Sequence, residues 1–184
     1  MAVVISLLRG VNVGGHHKIK MDELRALYES LRLGEPQSYV QSGNVVFRTQ
    51  ERDHPRLSKR IEDAVEGKFG FHADVVLRTE SELRAVIEKN PFAGRAGIEP
   101  GKLTVTFFAE ELPPETRAGI RRIEADPEEI KLGRRELYVY FPAGMGRSKL
   151  TPILDRILKK TGTVRNWNTV TKLLEMAEKL NASH

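Results

Sequence analysis

Short, uninterrupted apolar runs alternate along this chain with stretches whose apolar residues recur at helical spacing. The first pattern predicts strands and the second amphipathic helices. Val3–Leu8 opens the chain as a strand. Met21, Leu24, Tyr28 and Leu31 then share one helical face, and Gly34 is a natural stop for that helix. Strands follow around Ser38–Gln41 and over Val45–Arg48. They are joined by Ser42-Gly43-Asn44, a turn in which Gly and Asn tolerate positive φ. The next helix has the clearest start in the chain. Asp53 can cap it, Pro55 suits its first turn, and Gly70 ends it after a stripe of Leu57, Ile61, Ala64, Val65 and Phe69. Asp74–Arg78 reads as a strand and Ser81–Lys89 as a helix, broken at Asn90-Pro91-Phe92.

The order to this point is βαββαβ, that of a ferredoxin-like unit. After Ala93–Gly101, rich in glycine and a candidate linker, the order restarts. Leu103–Phe108 is a strand and Pro113–Ala125 a weaker helix; Glu129–Leu132 and Glu136–Phe141 are strands joined at Gly133. Ser148–Lys160 is a helix, Thr163–Arg165 is extended, and a last helix runs from about Thr169 to Leu180. The pattern predicts an α+β fold of two tandem ferredoxin-like (βαββαβ-type) subdomains packed together. They would occupy residues 1–92 and 102–184. Val3–Leu8 and Leu103–Phe108 lack the alternation of a sheet with one wet face. Their second faces should therefore be covered, by the other half of the chain or by another subunit.

Composition narrows the chemistry. Hydrophobic residues make up 40% of the 184 and charged residues 30%, as in ordinary globular proteins. Cysteine is absent, which excludes disulfides, thiol catalysis, zinc–thiolate sites and iron–sulfur clusters. No apolar run approaches the roughly 20 residues of a membrane span. The first residues lack the basic start and cleavage site of a signal peptide. These features predict a cytoplasmic protein with no membrane partner. The net charge of +5 is uneven: Pro142 to His184 holds eight Lys/Arg against three acids and so carries the whole excess. Such a field attracts phosphates, nucleic acid or acidic partners, or is simply a solvated face.

Four polar segments fall where strands end or helices begin. Arg9 to Lys18 contains Gly10, Asn12, Gly14 and Gly15, with a phosphate loop's composition but neither the G-x-G-x-x-G nor the Walker spacing. Gln41-Ser42-Gly43-Asn44 offers amides and a hydroxyl, but reads more readily as an ordinary hairpin turn that needs no function. Pro142 to Lys149 places Gly144, Gly146, Arg147, Ser148 and Lys149 ahead of a helix, where free N–H groups and the dipole favour an anion. Ser148 is also a good N-cap. Thr163 to Thr169 holds Arg165, Asn166, Trp167 and Asn168; the single Trp can stack a base or seal the last helix, which Asn168 or Thr169 can cap. Adjacent His16-His17 share no helix face, and no H-E-x-x-H, G-x-S-x-G or S-x-x-K is present, so no metal or nucleophile motif emerges.

The same segments carry a resemblance. Leu8-Arg9-Gly10-Val11-Asn12-Val13-Gly14-Gly15 resembles the N-terminal signature of the domain-of-unknown-function family 1697. The likeness continues through Lys18-Ile19-Lys20-Met21, Tyr39-Val40-Gln41-Ser42-Gly43-Asn44-Val45 and Asn90-Pro91-Phe92. It resumes at Gly146-Arg147-Ser148-Lys149-Leu150 and Arg165-Asn166-Trp167-Asn168-Thr169. His16-His17 lies outside the signature. The resemblance implies a bacterial-type cytosolic protein with two ferredoxin-like subdomains. It brings no activity, cofactor or catalytic residue with it.

The leading expectation is a phosphate-bearing small molecule or nucleotide bound where the four segments converge. Arg9, Arg147, Lys149 and Arg165 would neutralise charge, and Asn12, Asn44 and Asn166 would orient the ligand. Any catalysis would use positioning and electrostatics without a covalent nucleophile. Nucleic-acid binding through the basic C-terminal quarter is one alternative, although the central strands lack the aromatics of RNA-binding sheets. The other is purely structural, with these side chains satisfying buried backbone groups.

Overall fold

A computed structural model of the chain describes residues 1–183. It is a mixed α+β protein with two four-stranded antiparallel sheets and, among the described residues, six α-helices. The chain divides into two compact units. One holds Met1–Ala85 together with the stretch from Thr171 onward, and the other holds Val86–Val170.

The first unit contains β1 (Ala2–Leu8), α1 (Met21–Ser30), β2 (Gly34–Tyr39), β3 (Asn44–Thr49), α2 (His54–Phe69), β4 (Val75–Thr79) and most of α3 (Glu80–Glu88). Its strand order is β2-β3-β1-β4. Val4 and Leu8 of β1, with Val45, Phe47, Val75 and Leu77, form the floor on which Leu24, Leu27 and Tyr28 of α1 and Leu57, Ile61 and Val65 of α2 pack. Ser6 lies on this buried floor, and its Oγ is 2.8 Å from the Tyr28 hydroxyl, so neither polar atom is stranded. Burial pushes the Tyr28 hydroxyl well above its ordinary pKa. The opposite face of β1, formed by Val3, Ile5 and Leu7, is buried as well, as its unbroken apolar run predicts. The late helix α6 (Trp167–Ala182) contributes all but its first turn to this unit: the buried Arg48 donates to the Leu180 carbonyl.

The second unit contains a 3-10 turn (Pro100–Lys102), β5 (Leu103–Phe107), α4 (Pro114–Arg121), β6 (Glu129–Leu132), β7 (Glu136–Tyr140), α5 (Leu150–Leu158) and β8 (Thr163–Asn166), with the first turn of α6. Its strand order is β6-β7-β5-β8. Leu137, Val139 and Phe141 pack with Ile120 of α4 and with Leu150, Leu154 and Leu158 of α5. The other face, including Val105, Phe107 and Tyr138, is buried, and the Tyr138 hydroxyl donates to the Val86 carbonyl at 2.7 Å.

Several boundaries differ from expectation. Gly34 begins β2 and does not end α1; the helix stops at Ser30, and Arg32 makes the turn at φ 59°. The second strand thus covers Gly34–Tyr39, earlier than the sequence suggests. The helix expected over Pro113–Ala125 is shorter, Pro114–Arg121. Ser148 lies outside α5, whose N-cap is Lys149.

Candidate functional site

In the first unit the glycine-rich segment and the Ser42-Gly43-Asn44 turn meet at the end of β1. Leu8 N donates to Gly43 O at 2.9 Å. Gly43 is buried at φ 81°, and a Cβ there would stand 2.8 Å from the Leu8 Cβ, so no side chain fits. Asn12, at φ 55°, is the clasp: Nδ2 donates to Ile19 O (3.0 Å) and Gln41 O (2.6 Å), and Oδ1 accepts from Ile19 N (2.9 Å). One amide thereby ties the loop to the start of α1 and to the β2–β3 turn. The positive φ of that turn belongs to Val40 and Gly43. Asn44 was expected in the turn but lies in β3, fully buried, with Nδ2 donating to Tyr39 O (3.1 Å) and Ser42 Oγ (2.9 Å).

Beyond the clasp, Gly14 and Gly15 are exposed at φ 58° and 76°. His17 stacks on Phe71 with centroids 4.2 Å apart, which accounts for that histidine without a metal. Arg9 is half-buried, and its backbone N–H donates to Asp74 O at 2.9 Å. A cavity of about 520 Å³ opens beside the loop, lined by Asn12, Gly15, Lys18, Lys20, Glu23 and Gln41 among others. Lys20 is the N-cap of α1, and no side chain caps that helix. Lys20 and Glu23 are lining residues that the sequence does not single out for a site, whereas Gln41 belongs to the second polar segment. The signal for Lys20 is the alternation Lys18-Ile19-Lys20, with only Ile19 buried.

In the second unit the two remaining segments start from one place. Phe141 N donates to Lys102 O and Asn166 Nδ2 to Gly101 O, both at 2.9 Å, so both segments leave the Pro100–Lys102 turn. Ser148 Oγ accepts from Leu150 N at 3.1 Å and bonds Glu128 Oε1, which occupies its hydroxyl. Gly146, Arg147 and Lys149 are exposed, and the Arg147 and Lys149 side chains have no partner among the described residues. Arg165 is different. It is buried in β8, its Nη1 donates to Thr163 Oγ1 (2.6 Å) and Val164 O (3.0 Å), and burial pulls its pKa down to about 10. Asn166 Oδ1 accepts from Asn168 N at 2.9 Å, so Asn166, and neither Asn168 nor Thr169, caps α6. Trp167 is half-buried as the first residue of that helix, and Asn168 is exposed.

No group of three or more His, Cys, Asp or Glu among the described residues is arranged to hold a metal ion. No helix among them is long and apolar enough to cross a membrane.

The fold is similar to that of a conserved bacterial protein, SP0830 of Streptococcus pneumoniae. The TM-score is 0.76 at 23% identity, covering 96% of this chain and 98% of that one. At that identity the likeness is one of fold. No curated protein matches the chain. The Gly146–Leu150 and Arg165–Thr169 segments lie beyond the span of the family match, whereas the clasp and its cavity lie within it. That match, to the family described as protein of unknown function (DUF1697), runs over residues 1–138, and the chain belongs to this family.

Proposed function

We propose that the first unit binds the phosphate of a small molecule or nucleotide in the cavity beside Asn12, Gly15 and Lys18. The observation that carries this reading is that cavity itself: two lysines, Lys18 and Lys20, line it at the start of a helix without a side-chain cap, next to a loop at positive φ. Backbone N–H groups at helix starts and in such loops favour oxyanions, and lysine ammonium groups add charge. Glu23 lines the same cavity. A carboxylate beside a phosphate site suits a ligand with hydroxyl donors, such as a nucleotide or sugar phosphate, over inorganic phosphate. Asn12 then forms the wall, and Gly14, Gly15 and Ser42 leave the backbone accessible. In the second unit, exposed Arg147 and Lys149 are a separate pair able to meet an anion.

A thermal-shift series with nucleotides, sugar phosphates and inorganic phosphate tests the reading. A saturating ligand should stabilise the wild type, by about 2.7 kcal/mol at a hundredfold excess over Kd. Lys18→Ala/Lys20→Ala should lose that gain while keeping the unliganded melting temperature. Failure of all of them to stabilise the wild type would overturn the proposal. It would favour the structural reading, which has its own support in the bonded amides of Asn12, Asn44 and Asn166.

We also infer that the units are two copies of one ferredoxin-like plan, with the repeats in 1–92 and 102–184. Support comes from matching strand order and register. Ile5 pairs with Val46 and Arg78, and Val105 pairs with Tyr138 and Arg165. Each arginine stands at the corresponding place in its fourth strand.

A further inference from the structure

An open sheet edge is a template for another strand, and proteins block such edges with proline, bulges or side chains. The two sheets have four edges, and three are blocked. The β2 edge carries Pro36 and a register shift between Gly34 and Gln37. On β4, Glu62 accepts from Val75 N (2.9 Å), Glu82 accepts from Thr79 N (2.8 Å), and Arg78 donates to Leu77 O (2.9 Å). On β8, Arg165 donates to Val164 O. The β6 edge is guarded only by its shortness, four residues, and by Lys131. It lacks proline, its register against β7 is continuous, and among the described residues nothing but β7 bonds its backbone.

The residues of β6 also suit a particular partner. Ile130 and Leu132 are half-buried against the core below α4 and α5. Glu129 and Lys131 alternate with them and occupy the opposite face. Arg95 holds Glu129 through two bonds, of 3.0 and 2.6 Å. Lys131 is exposed, and its ammonium has no partner among the described residues. Between α4 and the edge lies a groove of about 420 Å³ with a mixed lining, in which Ile120, Ile123 and Ile130 stand beside Arg121, Glu128 and Lys131.

We propose that β6 pairs with β6 of a second copy of this chain, antiparallel and two-fold about Ile130. In that register each Lys131 lies opposite the second copy's Glu129, and Ile130 faces Ile130. Opposite charges directly across a strand pair stabilise it and like charges oppose it. Shifting the register by two residues in either direction sets Glu129 opposite Glu129 or Lys131 opposite Lys131. The charge pattern therefore selects one pairing, and that pairing is self-complementary, as a two-fold contact must be.

Sedimentation equilibrium over rising protein concentration tests the proposal. The wild type should pass from the mass of one chain to that of two. Lys131→Glu alone and Glu129→Lys alone should each dimerise at least about tenfold more weakly, because a two-fold pairing contains each change twice. An equimolar mixture of the two variants should recover the dimer, since opposite charges then face each other across the whole pair. That recovery also shows that both variants fold. A wild type that stays at single-chain mass overturns the proposal. So does a dimer indifferent to both substitutions, or a mixture that associates no better than its parts.

Discussion

Gly43 concentrates at one residue what the first unit needs of its loops. Its φ of 81° and the Leu8 Cβ only 2.8 Å from any added Cβ exclude side chains on two separate grounds. Gly43→Ala should destabilise the protein by about 1–3 kcal/mol, read from urea unfolding, because the strained backbone and the contact with a buried strand both oppose it. The glycine was legible in the sequence as a turn residue; its contact with β1 was not, since Leu8 is distant along the chain. The asparagines show the same division. Asn12, Asn44 and Asn166 were recognisable as polar residues at junctions, but a sequence cannot distinguish an amide facing a ligand from one bonded to the carbonyls of Ile19 and Gln41, Tyr39, or Gly101. Arg165 reads in the sequence as a guanidinium for a phosphate; in the structure it is buried in its strand, where it bonds Thr163 and Val164.

Among the elements, α2 was the most legible because both ends are marked chemically. Asp53 accepts from Arg56 N at 3.0 Å, Pro55 sits in the first turn, and Gly70 closes the helix at φ 80°. The start of β2 was not legible: Gly34 looks like a helix stop, while the turn is made by Arg32, whose type gives no such signal. The connection from α2 to β4 contains a titratable link. His72 Nε2 lies 2.9 Å from Asp74 Oδ1, and that bond is the main cause raising the His72 pKa above 6.5. A raised folded-state value means that the stabilisation is complete below the unfolded pKa of about 6.5 and is lost as pH rises through the folded value. His72→Gln should therefore be less stable than wild type below about pH 6.5, with the gap closing as pH rises through the raised folded value. Chemical denaturation at several pH values checks this; a gap that grows with pH would contradict it. The half-exposed ring makes the effect small.

At the scale of the molecule, the first unit is discontinuous. It takes its sheet from the beginning of the chain and its last helical segment from the end. Leu173, Ala177 and Leu180 are buried, Leu180 O receives Arg48, and Glu178 Oε1 accepts from Arg84 Nη1 at 2.7 Å. A chain ending at Val170 loses all of these and should be destabilised by about 5 kcal/mol or more, with a lower melting temperature and binding of an apolar dye near room temperature. The discontinuity also orders events during synthesis. Domains generally fold as they leave the ribosome, N-terminal first. Here β1 to β4 emerge early, but the helical segment that completes their unit is translated only after the whole of Val86–Val170. The second unit has all its parts before the first does, so the half that is made first is the half that finishes last.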